Sequence, residues 1–239
     1  MILADAFKNS EIARHMDFTT AVEDNPVIVQ FAACKASDLA DAAEFVYPYC
    51  QGIDINCGCP QKWAIKEGIG AAMMSKPELM VDMLSQVRQR VPASFPCSIK
   101  IRIHKDLKET VEYARRAEAV GCSSITVHGR TKSMKSSEPV DMEAIKIIKS
   151  SVSIPVYANG DIFSLKDADE CVALTGVDGV MSARGLLENP ALFAGYEQTP
   201  LECIERFVNL SVDYGSNHFI FHHHLMYMMD NLMTKPGRS

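Results

Sequence analysis

The chain has 239 residues, 47% hydrophobic and 23% charged. That composition excludes a disordered chain and supplies core for one large domain or two small ones. The net charge of −6 argues against a strongly basic nucleic-acid-binding surface overall, while leaving room for a local basic patch.

No apolar run reaches the ~18 residues of a membrane span. Met1-Ile2-Leu3-Ala4-Asp5-Ala6 lacks the basic start and apolar core of a secretory signal. Eight scattered cysteines then read as reduced thiols of an intracellular protein. Cys57-Gly58-Cys59 is too closely spaced for a zinc knuckle and has no second ligand pair, so no metal is expected.

Met1-Ile2-Leu3 reads as the end of a strand, followed by a connection to residue 24. Val27–Ala32 is an apolar run predicted as a strand buried on both faces. A helix follows, with Ser37 as N-cap and Leu39, Ala43, Val46 and Tyr47 on one face. Ile53-Asp54-Ile55-Asn56 alternates like a short strand and runs into Cys57-Gly58-Cys59-Pro60, a turn able to hold Cys59 at the rim of a sheet. Ser75-Lys76-Pro77-Glu78 reads as a capping box before a helix carrying Leu79, Met83, Val87 and Val91.

The alternation then repeats. Strands are expected at 98–103, 124–128, 154–159 and 177–181. Helices are expected at about 107–120, closed by Gly121, at about 141–150, and from Ser164 to Gly176. Arg184-Gly185 opens a short helical segment. Thr199-Pro200-Leu201-Glu202 reads as a second capping box, for a helix to about Tyr214 before Gly215. Another helix is expected over about 217–233, and the chain ends in Pro236-Gly237-Arg238-Ser239.

Strand and helix alternating at about 30 residues imply βαβ units and a parallel sheet. The predicted architecture is an α/β TIM barrel of the (β/α)8 type, with an open doubly wound sheet as the alternative. Only six full strands and a remnant at Met1–Leu3 are counted. The barrel is therefore expected to lack its first strand and most of its second. Expected boundaries are a catalytic barrel over 1–196 and a helical domain beginning over 197–239.

Chemistry in such a barrel sits at the C-terminal strand ends. Those ends present Gln30, Asn56 and Cys59, Lys100 and Arg102, His128 and Arg130, Asn159 to Asp161, and Ala183-Arg184-Gly185. Singly, each has an ordinary structural reading. Cys59 alone is more often a buried small residue, His128 a core histidine, and Asn159-Gly160-Asp161 a turn. Lys100, between Ile99 and Ile101, needs an anion or an acceptor on the opposite face. Together they suit a phosphorylated planar cofactor, with its phosphate at the last loops.

Asn56-Cys57-Gly58-Cys59-Pro60, Lys100-Ile101-Arg102, Thr126-Val127-His128-Gly129-Arg130-Thr131, Asn159-Gly160-Asp161 and Ala183-Arg184-Gly185 stand in the order and spacing of the tRNA-dihydrouridine synthases. The sequence resembles that family over nearly its whole length. The stretches 61–64 and 221–229 are most similar to the eukaryotic dihydrouridine synthase 4-like subgroup. The resemblance implies a flavin barrel binding FMN, with NADPH as reductant, that reduces a tRNA uridine to 5,6-dihydrouridine. By similarity, hydride reaches C6 of uracil and Cys59 protonates C5. A thiol of ordinary pKa is mostly protonated at neutral pH and suits that task.

The resemblance assigns Gln30, Lys100, His128, Asn159, Gly160, Asp161, Ala183 and Arg184 to the cofactor, and Asn56 and Arg130 to the substrate. It places the target at U20a/U20b of the D-loop, and implies a monomer in the cytoplasm or nucleus. Two other readings stand beside it: an inactive fragment of such an enzyme, and a flavin barrel acting on free pyrimidines. The chain departs from the family pattern in lacking an Ala-Pro-Met first-strand block and in carrying Trp63, its only tryptophan, where many bacterial members have lysine. Trp63 reads either as a base-stacking group or as packing under its loop.

Overall fold

In the computed structural model, residues 1–230 are described. The tail from Pro236 and the end of the helix expected over 217–233 lie outside the described residues. Seven strands form one sheet in chain order. They are β1 (Ile2–Leu3), β2 (Ile28–Ala32), β3 (Gly52–Cys57), β4 (Cys97–Arg102), β5 (Ile125–His128), β6 (Val156–Asn159) and β7 (Gly179–Met181). The pairs from β1 to β5 are parallel. The helices between them are α1 (Ala4–Asn9), α2 (Glu11–Asp17), α3 (Ala36–Val46), α4 (Lys62–Lys66), α5 (Pro77–Arg90), α6 (Leu107–Ala119), α7 (Met142–Ser151), α8 (Leu165–Thr175), α9 (Arg184–Glu188), α10 (Leu201–Asp213) and α11 (His218–Met229). This is the alternating α/β architecture expected from the sequence, and the remnant at Met1–Leu3 is a strand.

The chain divides into two compact units. The first holds Met1–Ala158 and Thr175–Gly179; the second holds Asn159–Leu174 and the residues from Val180 onward. Within the first, alternation decides what each strand face does. Cys97, Ile99 and Ile101 are 0–1% exposed, as are Ile53, Ile55 and Cys57. Cys57 meets the Tyr113 hydroxyl of α6, so this apolar face is the one turned to the helices. Burying a side chain of this size contributes about 1.5–3 kcal/mol. Period two then puts Asp54, Asn56, Ser98, Lys100 and Arg102 on the other face. In-register neighbours pair Gln30 with Asp54 and Asn56 with Lys100.

Several local expectations are corrected. Residues 4–17 form two short helices rather than a connection. Ser10 starts the second, its hydroxyl accepting from Ala13 N. Lys35, not Ser37, is the N-cap residue of α3. Neither capping box forms. Ser75 bonds Ala72 O, and Thr199 bonds Glu188 O, so both hydroxyls serve the preceding turn. Pro77 nonetheless occupies the first turn of α5, where a missing N–H costs nothing. That helix buries Met80, Met83, Leu84 and Val87, one step round from the expected face through Leu79. Tyr47 and Ile28 are exposed, at 38% and 50%. Gly121 follows the C-cap of α6 with φ of 84°, as expected of a C′ glycine.

Candidate active site

In the first unit the polar face of β2–β4 carries a connected set of side chains. Asp54 is 6% exposed. It accepts from Gln30 Nε2 at 2.6 Å and from Ser98 Oγ at 2.7 Å. Gln30 Oε1 accepts from Asn56 Nδ2 at 2.8 Å. Asn56 Oδ1 in turn accepts the backbone N–H groups of Gly58 at 3.1 Å and Cys59 at 2.9 Å. The turn is also held from outside. Arg102 Nε donates to Gly58 O and its Nη1 to Thr131 O, both at 2.9 Å.

Cys59 is half-buried and packs against a cluster of Ala32, Ala64 and Ile69, as Leu3 does. Its carbonyl accepts from Ala71 N at 2.9 Å. Gly70 makes that approach feasible. Its φ is 60°, and a Cβ there would meet Cys59 O at 2.7 Å and Cys59 Cβ at 2.9 Å. The two cysteines of the motif are thus sharply different. Cys57 is fully buried and its thiol is pushed up to about 12, chiefly by desolvation. Cys59 stands at the rim, within electrostatic reach of Lys100 and Arg102.

Lys100 is the exceptional charge. Burial draws its amino group down to about 8, against the pull of Asp54. Among the described residues it makes no hydrogen bond or ion pair. Partly buried and without an acceptor among those residues, it is a candidate to meet one on a ligand, which would relieve the cost of its desolvation. The donor set around it, Gln30, Asn56, Lys100 and Arg102, suits a planar ring edged with carbonyl oxygens and ring nitrogens. His128 lies in register with Arg102 on the same face.

Arg130 lies deeper than a surface contact. Expected to touch substrate, it is 2% exposed and its Nε donates to Glu138 O at 2.5 Å, while its own N–H bonds His128 O at 2.8 Å. It braces the loop after β5. Trp63 is settled in the other direction: it is 47% exposed on α4, with its indole N–H given to Gln61, so it does not pack under the loop.

The second unit holds the remaining predicted residues. Asn159, 6% exposed, donates its Nδ2 to Met181 O at 2.8 Å. Gly160 and Asp161 form a turn with φ of 123° and 53°. Arg184 Nη2 donates to Asp161 Oδ1 at 3.2 Å, and its guanidinium lies 5.0 Å over the Phe163 ring. Ala183 caps α9, and Ser182 Oγ donates to Ile162 O at 2.7 Å. The Asn159–Asp161 and Ala183–Arg184 segments are therefore brought together within that unit.

The residue that sequence reasoning passed over is Asp54. Its signal was available: it shares a strand face with Asn56, two positions away, and a carboxylate in a parallel strand requires partners.

Comparison with known proteins follows the same lines. An old yellow enzyme homologue from Zymomonas mobilis matches with a TM-score of 0.51 at 12% identity, over 66% of this chain and 50% of that one, which is a likeness of fold. A human protein named tRNA-dihydrouridine(20a/20b) synthase (NAD(P)+)-like is 56% identical over 239 residues, all of this chain and 75% of its own length. A Schizosaccharomyces pombe protein named tRNA-dihydrouridine(20a/20b) synthase (NAD(P)+) is 47% identical over 238 residues and 73% of its length. The family model described as dihydrouridine synthase (Dus) matches residues 1–238. With that match over almost every residue, and with the Asn56–Pro60 turn built as described, the chain belongs to the dihydrouridine synthase family.

Proposed function

We propose that this protein reduces a D-loop uridine of tRNA to 5,6-dihydrouridine, at the 20a/20b positions named for its relatives. FMN is the proposed cofactor and NADPH the reductant. The observation that carries the reading is a rim cysteine fixed by an amide relay beside a partly buried lysine that makes no hydrogen bond or ion pair among the described residues.

When bound, FMN would supply hydride to C6 of the uracil. The rest falls to the chain. Cys59 Sγ–H gives its proton to C5, which is the general-acid half of the addition. Asn56 and Arg102 hold the turn that aims the thiol. Gln30 and Lys100 would face the ring, and a positive amino group there favours electron-rich reduced flavin. His128 is proposed as a third ring contact. Within the second unit, Arg184 is proposed to take a phosphate, sharing its guanidinium with Asp161. The target base must leave its stack to reach the thiol. Trp63, exposed between Lys62 and Ile65 just after the catalytic turn, offers a face for a neighbouring base. Residues 197–239 are proposed to begin a helical tRNA-binding domain. Eight free thiols fit a cytoplasmic setting.

The test is the visible spectrum of the purified chain, followed by NADPH oxidation with tRNA and mass analysis of the nucleosides. A flavin band and dihydrouridine at 20a/20b are expected. A colourless chain that leaves tRNA unchanged would refute the proposal for this protein.

A further inference from the structure

We propose that Asp54 is a positioning residue that sets the polarity of a two-amide relay ending on the backbone of Cys59. It rests on the reading of Cys59 as proton donor and concerns a residue which that reading leaves idle.

The two ends of the relay admit no choice. At one end are the N–H groups of Gly58 and Cys59, which only donate. At the other is the Asp54 carboxylate, which only accepts. Two amides lie between, and an amide can be turned either way. Asn56 must give Oδ1 to the two N–H groups, 3.1 and 2.9 Å away. That leaves its Nδ2 for Gln30 Oε1 at 2.8 Å. Gln30 is then left with Nε2, which only an acceptor can meet, and Asp54 Oδ2 meets it at 2.6 Å. Ser98 occupies the other carboxylate oxygen at 2.7 Å. Each group has one orientation, fixed by its neighbour.

Without an acceptor at position 54, the Gln30 amide can reverse. Asn56 would then have to reverse as well, and would turn Nδ2 on two backbone donors. The turn that carries Cys59 would lose both of its bonds from Asn56. Asp54 is not simply the counter-ion of Lys100, because the two form no ion pair among the described residues. Desolvation pushes the Asp54 carboxyl up, and the bonds from Gln30 and Ser98, with the charge of Lys100, oppose it. The same bonds that fix the relay therefore also oppose that rise.

The relay makes a polarity-swap prediction that a merely structural aspartate does not. Gln30→Glu places two carboxylate oxygens against each other at the 2.6 Å contact. They share a proton in acid and repel above it. Adding Asp54→Asn restores every bond: the new Nδ2 donates to the new glutamate, whose other oxygen still accepts from Asn56 Nδ2. The readout is amide hydrogen exchange at Gly58 and Cys59, which needs neither cofactor nor substrate. A glutamate at 30 still accepts from Asn56 Nδ2, so the variant that frees the relay is Asp54→Leu, which removes the acceptor and should speed exchange there by about tenfold at pH 7–8, as expected for lost local hydrogen bonds. The double variant should return to within about threefold of the unaltered chain. Circular dichroism confirms that each variant is folded. In the same three proteins, oxidation of reduced flavin by tRNA should rank in the same order. Unchanged exchange in Asp54→Leu, or exchange in the double variant as fast as in Asp54→Leu, would overturn the relay. Turnover indifferent to the exchange pattern would remove its link to Cys59. Absence of turnover in the unaltered chain would count against the proposed function alone.

Discussion

Lys100→Met replaces a partly buried amino group by an apolar side chain of similar length, and the expected outcome is a more stable protein without the proposed flavin anchor. The amino group sits near pKa 8 in the folded chain, against an ordinary 10.5. Below pH 8 it is charged in both folded and unfolded states, and folding bears the full cost of burying the charge. Between 8 and 10.5 the folded state releases the proton first, so stability rises with pH. Above 10.5 both states are neutral and the cost is gone. The difference between 10.5 and about 8 corresponds to about 3 kcal/mol. Methionine removes that cost at every pH and keeps most of the packing of the stem. Urea denaturation at pH 7 should show a gain of about 2–3 kcal/mol at unchanged slope. Buried thiols such as Cys57, pushed up by desolvation, lower the stability of both proteins above about pH 9, so Lys100 is isolated by the difference: the advantage of the variant should shrink from pH 7 to 10. Flavin retention should fall in the variant, because its proposed anchor is gone. A variant that is less stable at pH 7, or an advantage that does not shrink over that range, would refute the claim that Lys100 is held at a cost for a ligand.

The other predictions concern the catalytic turn. Cys59→Ala should keep flavin and lose most dihydrouridine formation, measured by single-turnover oxidation of reduced flavin with tRNA; full retention would remove Cys59 as proton donor. Cys57→Ala should leave that rate nearly unchanged and cost about 1 kcal/mol of stability from a small cavity, because its side chain faces Tyr113 and not the polar face. Gly70→Ala should cost at least about 1 kcal/mol from its positive φ alone. Because the new Cβ presses on Cys59, it should also slow the flavin step more than Cys57→Ala does. Trp63 is the sole tryptophan, so its fluorescence isolates one position: tRNA should quench it, and Trp63→Ala should weaken tRNA binding by about 1–3 kcal/mol. An unchanged spectrum at saturating tRNA would rule out stacking.

The period-two pattern of Cys97–Arg102 and the apolar run of Ile28–Ala32 were legible because a parallel sheet between two layers repeats its demand at every strand. Within the first unit the ends of β2, β3 and β4 were legible for the same reason: their polar groups fall on one face of neighbouring strands. Helix starts were less so. Ser75 and Thr199 stand where a capping box would, but the preceding turns offer carbonyls at Ala72 and Glu188 that compete for the same hydroxyls, and tertiary context decides between them. Residues 4–17 are too short to show a helical period, and the Ser10 cap, the ion pairs of Lys8 with Asp38 and Asp41 and the packing of Phe7 on Phe31, at 5.3 Å, help fix them.

Arg130 and Asp54 mark the limit more sharply, because both were visible and only one was read as functional. An arginine two residues past a strand end reads as a ligand contact, yet its guanidinium is held by a loop carbonyl eight residues on, a distance in sequence at which no local pattern signals. Asp54 reads as one polar residue of an alternating strand. What gives it meaning is the register that sets Gln30 beside it, since an amide that must accept from Asn56 needs somewhere to put its own N–H. Sequence spacing supplies the side chains of such a relay. Only the pairing of neighbouring strands supplies its direction, and that direction determines whether the Cys59 turn is held or released.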